Sequence, residues 1–105
     1  IRKGENIAAK EVEDVLYAHP AVGAVAVIGL PDTERGERVC AVVETAEDSE
    51  PLTLDQLVEA CADAGLMRQK VPEQLVVYDS PLPRNATMKI LKYELKEAMA
   101  EIPWP

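Results

Sequence analysis

The sequence predicts an α+β fold: a small three-stranded sheet flanked by three helices. Three observations carry this expectation. Two strand-length apolar runs, "VGAVAVIGL" and "RVCAVVET", stand on either side of the turn-rich "PDTERGE". A third, "EQLVVYD", arrives only after a helical stretch, and three segments repeat their apolar residues at helical spacing. With 105 residues, 48% of them hydrophobic, no Phe and one Trp, the core must be built from Val, Leu, Ile and Ala. That suits thin layers of helix on sheet in a single domain.

The first helix is expected over about residues 9 to 19, with Val12, Val15 and Leu16 facing inward and Pro20 ending it. His19 then reads as a C-terminal helix residue rather than a catalytic base. The two apolar runs that follow are expected side by side in one sheet. The polar "AEDSEP" leads into "TLDQLVEACADAG", where Thr53 and Gln56 have capping-box spacing and Gly65 suits the position after the helix. Its apolar stripe is Leu54, Leu57, Val58, Cys61 and Ala62. After the loop "MRQKVPE" comes the third strand, then a proline-containing loop, then a last helix with the stripe Leu91, Leu95, Ala98, Met99 and Ile102.

Acidic residues outnumber basic ones by 19 to 11, a formal charge of −8, which argues against a nucleic-acid or anionic-membrane surface. No stretch is apolar for long enough to span a bilayer, so a cytoplasmic protein is expected. Cys40 and Cys61 form no CxxC pair and have no histidine cluster beside them, which indicates core residues and no metal site. The opening "IRKGENI" carries no signal-like apolar run and reads as part of an excised piece of a longer chain.

Lys89 poses a question. The stripe of the last helix places it in or just before the first turn, where free N–H groups make the helix end partly positive and favour anions. Two readings stand on local pattern: a solvated lysine, which the pattern favours, or a cation that meets an anionic ligand beside those donors.

Four segments in order, "KGENIAAKEVEDVL", "AVIGLPD", "QKVPE" and "LPRNATMKILK", resemble the C-terminal domain of the adenylate-forming superfamily, the acyl-CoA synthetases and their relatives, over nearly the whole chain. The resemblance implies the mobile C-terminal domain of an enzyme that activates a carboxylic acid with ATP to an acyl-adenylate and passes the acyl group to coenzyme A. The resemblance favours a fatty acid, while the acyl pocket belongs to the other domain and an aliphatic or an aromatic acid stays open. ATP with Mg2+ and coenzyme A are then substrates of the full-length enzyme, and none is bound by this domain alone. Its partner is the large N-terminal domain of the same chain, and the isolated piece is expected to be inactive.

Residue by residue, Lys89 matches the lysine that closes over the active site for adenylation. A compact ammonium with three donors can bridge a carboxylate and a phosphate that would otherwise repel. After a rigid-body rotation, "RKGENI" is expected to enter the site instead. Gly4 would then let a loop approach the pantetheine arm closely, with Glu5 and Asn6 beside it; the plain alternative is a turn before the helix. "MRQKVPE" corresponds to a segment near the coenzyme A nucleotide, where Arg68 and Lys70 would face phosphates, although Glu73 has the wrong sign and solvated side chains are the simpler reading. Asp32 and Gly36 read as structural turn residues. Met88 stands where glycine is common in the family; a positive φ there would cost about 1 kcal/mol, so either the loop keeps an ordinary backbone or the activity is modified.

Two other readings compete. Adenylation domains that deliver to a carrier protein typically show "NGKxD" around the lysine, unlike "ATMKILKYELK". A stand-alone ligand-sensing or interaction module would share the architecture but lack an upstream ATP-binding domain.

Overall fold

The first apolar run is continuous because both faces of its strand are buried. In the computed structural model, β1 (Val22–Asp32) is antiparallel to β2 (Gly36–Thr45), and β2 is parallel to β3 (Gln74–Tyr78), in the order β1-β2-β3. The structure describes residues 2–32, 36–78 and 80–100, with side chains over 9–30, 38–68, 70–78 and 80–99. Val25 and Val27 join Ala41 and Val43 on one face. Ala24, Ala26, Ile28 and Leu30 join Cys40 and Val42 on the other. Period-two alternation puts neighbours on opposite faces, so a strand covered twice shows no polar residues at alternate positions.

Helix α1 (Arg2–Tyr17) and helix α2 (Leu54–Asp63) cover the first face, through Val12, Leu16, Leu57 and Cys61. Helix α3 (Lys92–Ala100) covers the second through Leu95 and Met99, with Leu82 from the proline loop. The parallel β2-β3 pair requires a crossover, and the chain from residue 46 to 73, carrying α2, supplies it. Val22 belongs with Val25 and Val27 despite its even number, because the register shifts between Val22 and Ala24. Gly23 allows this bulge: a Cβ there would lie 3.2 Å from the Ala46 Cα and 3.3 Å from the carbonyl oxygens of Glu44 and Thr45.

The capping expectations for α2 are met. Thr53 Oγ1 accepts from the Gln56 N–H (3.1 Å), and Gln56 Oε1 accepts from the Thr53 N–H (3.0 Å). At the other end Gly65 takes φ 79, with Leu66 N–H donating to Cys61 O and Gly65 N–H to Ala62 O, the paired bonds of a Schellman ending.

Five expectations are corrected. Helix α1 begins at Arg2 rather than near residue 9, so Gly4, Glu5 and Asn6 lie on a helix and not in a loop or turn. One interior glycine costs only about 1 kcal/mol, too little to stop a helix already nucleated downstream. His19 lies beyond the end of α1, in a turn where its Nδ1 accepts from the Ala21 N–H (3.1 Å). Only Leu57 and Cys61 of the α2 stripe are buried, while Leu54 and Val58 stay 42% and 43% exposed, because one row of a short helix reaches the core. Helix α3 starts at Lys92, so Lys89 precedes it by three residues; Leu95 and Met99 are buried, Ala98 is exposed and Ile102 lies outside the described residues. Asp32 and Gly36, expected in a structural loop, instead end β1 and begin β2 and form the last pair of their register.

Candidate active site

The chain between β3 and α3 is held to the sheet at its base. Leu82 is buried, and its N–H donates to Glu44 Oε1 near the end of β2 (3.0 Å). Arg84 Nη2 donates to the same oxygen (3.0 Å) and Nη1 to the Leu82 carbonyl (3.1 Å). The Arg84 and Glu44 side chains are 20% and 24% exposed, so their charge-assisted bonds are screened less than a surface pair.

From this mount rises a short hairpin. Arg84 and Ile90 form an antiparallel bridge, and Leu91 N–H donates to Pro83 O (2.9 Å). Asn85 organises the tip. Its N–H donates to Lys89 O and its carbonyl accepts from Met88 N–H, both at 3.0 Å. Its Oδ1 accepts from Thr87 N–H (3.0 Å), Thr87 Oγ1 (2.8 Å) and Lys89 N–H (3.0 Å). A turn followed by one left-handed residue is a common three-residue hairpin loop, and Met88 is that residue, at φ 68. The loop thus requires the positive φ that favours glycine, and Met88 accepts a cost of about 1 kcal/mol while 70% exposed.

Lys89 stands at the rim of a cleft of about 720 Å³ between α1, the outer edge of β1 and the hairpin. On the opposite wall Glu13 Oε2 accepts from the Val27 N–H and pairs with Lys92 Nζ, each at 2.8 Å. Glu13 therefore caps the open edge of β1 and neutralises Lys92. The Lys89 ammonium, by contrast, makes no hydrogen bond or ion pair with any described residue, and its side chain is exposed. The field of a helix end fades within its first turn, and α3 also carries Glu94 there. The positive charge at the rim is thus the lysine's own. The arrangement offers an exposed cation on a hydrogen-bonded backbone to an anion arriving from outside.

The other expected site residues are dispersed. Gly4, Glu5 and Asn6 lie near the start of α1, with side chains outside the described residues. Arg68 opens a short 3-10 turn, Arg68–Lys70, and is exposed. Lys70 is paired with Glu11 of α1 at 2.9 Å, so an anion would have to displace that carboxylate. Glu73 accepts from the Val39 N–H (3.0 Å) and ties the start of β3 to β2. Cys40 and Cys61 are buried free thiols; burial pushes Cys40 up to about 11 against the opposing effect of Arg38, and raises Cys61. Among the described residues no three His, Cys, Asp or Glu side chains come together to hold a metal.

Asn85, Glu44 and Glu13 shape the candidate site without having been expected from the sequence. Asn85 had a signal, since Asn two residues before a Thr in a turn is a side-chain-to-backbone hydrogen-bonding pattern. Glu44 and Glu13 had none, because each acts on residues distant in the chain.

The AMP-binding enzyme C-terminal domain family matches residues 11–89. A 4-chlorobenzoate–CoA ligase of Arthrobacter sp is 48% identical over 93 residues, covering 89% of this chain and 17% of that protein. A long-chain-fatty-acid–CoA ligase of Mycobacterium tuberculosis is 42% identical over 97 residues, covering 92% of this chain and 18% of that one. The crystal structure of apo MatB from Rhodopseudomonas palustris superposes with a TM-score of 0.79 at 34% identity, over 90% of this chain and 18% of its own. The chain thus spans less than a fifth of the length of these relatives. It belongs to the family of C-terminal domains of AMP-binding enzymes, the acyl-CoA ligases among them.

Proposed function

We propose that this chain is the catalytic lid of an AMP-forming acid–CoA ligase, joined in the full-length polypeptide to a larger N-terminal domain that binds ATP and the acid. The observation that carries the reading is Lys89: an ammonium without a partner among the described residues, on a backbone fixed by its own hairpin, at the rim of a cleft. In the first step a carboxylate oxygen bonds to the α-phosphorus of ATP, the bond to the bridging oxygen breaks, and pyrophosphate leaves. Lys89 bridges the carboxylate and the α-phosphate, lowering their repulsion as charge builds in the transition state. We assign the Mg2+ that accompanies ATP to the larger domain, as the family likeness implies.

In the second step the coenzyme A sulfur attacks the acyl carbon and AMP departs. Lys89 then withdraws, and the start of α1, with Gly4, Glu5 and Asn6, faces the pantetheine arm. Arg68 is the better placed of the two basic candidates for the nucleotide phosphates, because Lys70 already has Glu11. The acid we favour is a fatty acid; relatives named for chlorobenzoate make an aromatic acid the competing outcome. Delivery to a carrier protein instead of coenzyme A is the alternative acceptor. We place the enzyme in the cytoplasm, where ATP and coenzyme A meet; no described helix is long and apolar enough to cross a membrane.

The test separates the half-reactions in the full-length polypeptide. Lys89→Ala should lower carboxylate-dependent exchange of pyrophosphate into ATP by about 100-fold or more. Transfer from a preformed acyl-adenylate to coenzyme A should persist. Exchange near the wild-type rate would overturn the assignment.

A further inference from the structure

We infer that Asn85 is the positioning residue for Lys89, an inference that rests on the adenylation reading of that lysine. A lysine side chain has four rotatable bonds, so the reach of its ammonium is only as well directed as its backbone is fixed. Both polar groups of the Lys89 backbone are held by this one residue: the N–H by Asn85 Oδ1 and the carbonyl by the Asn85 N–H, each at 3.0 Å. The same Oδ1 also gathers the N–H and hydroxyl of Thr87. Three donors on one carbonyl oxygen leave it no further capacity and hold the tip in a single arrangement.

Met88 shows what the network opposes. Its left-handed backbone is unfavourable for a side chain bearing a Cβ, and it lies between the two residues that Asn85 joins. Without the Asn85 oxygen only the two main-chain bonds oppose the strain at Met88, and any shift toward a negative φ swings the Cα–Cβ direction of Lys89 away from its present line. Asn85 itself is exposed on the hairpin and bonds only the tip among the described residues, so its effect passes through the lysine and not through the core. Displacement of a reacting group by about 1 Å can cost on the order of 100-fold in rate.

The experiment uses the full-length polypeptide and compares Asn85→Ala, Asn85→Asp and Lys89→Ala in both half-reactions. Asn85→Ala should lower kcat for pyrophosphate exchange by about 10- to 100-fold, leave KM for ATP and acid within about two-fold, and spare transfer to coenzyme A. Asn85→Asp keeps the acceptor oxygen and should recover exchange to within about three-fold of wild type. If Asn85→Ala is insoluble, Asn85→Ser, whose shorter acceptor holds a turn more weakly, is read against the same outcomes. Exchange retained in Asn85→Ala but lost in Lys89→Ala overturns the inference alone. Exchange retained in Lys89→Ala overturns the adenylation reading. Equal loss of both half-reactions without rescue by Asp makes Asn85 a general structural residue and also overturns the inference.

Discussion

Gly65 and Met88 both run the backbone through the left-handed region where one element gives way to the next, at φ 79 and φ 68, and they meet that demand in opposite ways. At the end of α2 the residue is glycine, with nothing within 4 Å of where a Cβ would stand. Glycine is needed there for its conformation alone, and its neighbours complete the hydrogen bonds of the helix end. In the hairpin the residue carries a long, exposed side chain, and the neighbouring Asn85 holds the turn with Oδ1. Asp48, also left-handed, sits in a turn and is of a type that tolerates it. The contrast is between a helix end where every local preference agrees and a loop where one is overruled beside the proposed catalytic lysine. Such conflicts concentrate at functional sites, where surrounding bonds over-determine a strained residue.

Three substitutions sharpen or break this contrast. The largest effect is expected at Gly65→Val, because a β-branched residue in the left-handed region is strongly disfavoured: a loss of about 2 kcal/mol in urea unfolding of the chain. An unchanged midpoint would mean that α2 can end another way. Next, Thr53→Ala removes one half of the capping box and should cost about 1 kcal/mol by the same titration. Retained stability there would show that Gln56 alone satisfies the helix start. Smallest, and opposite in sign, Met88→Gly should stabilise the chain by about 0.5 kcal/mol, the relief of the Cβ clash less the added freedom of the unfolded chain. A destabilised Met88→Gly variant would show that the Met88 side chain contributes contacts that outweigh its backbone strain.

Much of the fold was legible along the chain because the relevant signals are local. Thr53, Gln56 and Gly65 announce both ends of α2 through bonds that span three to five residues, so sequence spacing and spatial contact coincide. The doubly buried β1 shows itself by continuous apolarity, since every residue from Ala24 to Ile28 is buried whichever face it takes. The ordered motifs that carry the family resemblance, with Lys89 at the end of the matched region, were equally readable. Less legible were the helix boundaries at Arg2 and Lys92. Propensities near helix ends are weak, so an expected boundary can miss by a turn or more.

The sequence by itself determined the order of elements, the caps of α2 and the continuous apolarity of β1, and it placed the proposed catalytic lysine in the loop before the last helix. Each of these is written in residues close together in the chain or in a periodicity. Tertiary structure alone decided that Leu57 and Cys61, not Leu54 and Val58, face the core, because that choice depends on where α1 and the sheet sit. It also decided that Glu44 mounts the hairpin and that Glu13 neutralises Lys92 while Lys89 is left to reach outward. A carboxylate can serve whichever donor the fold brings to it, and nothing in its own neighbourhood of sequence says which donor that will be.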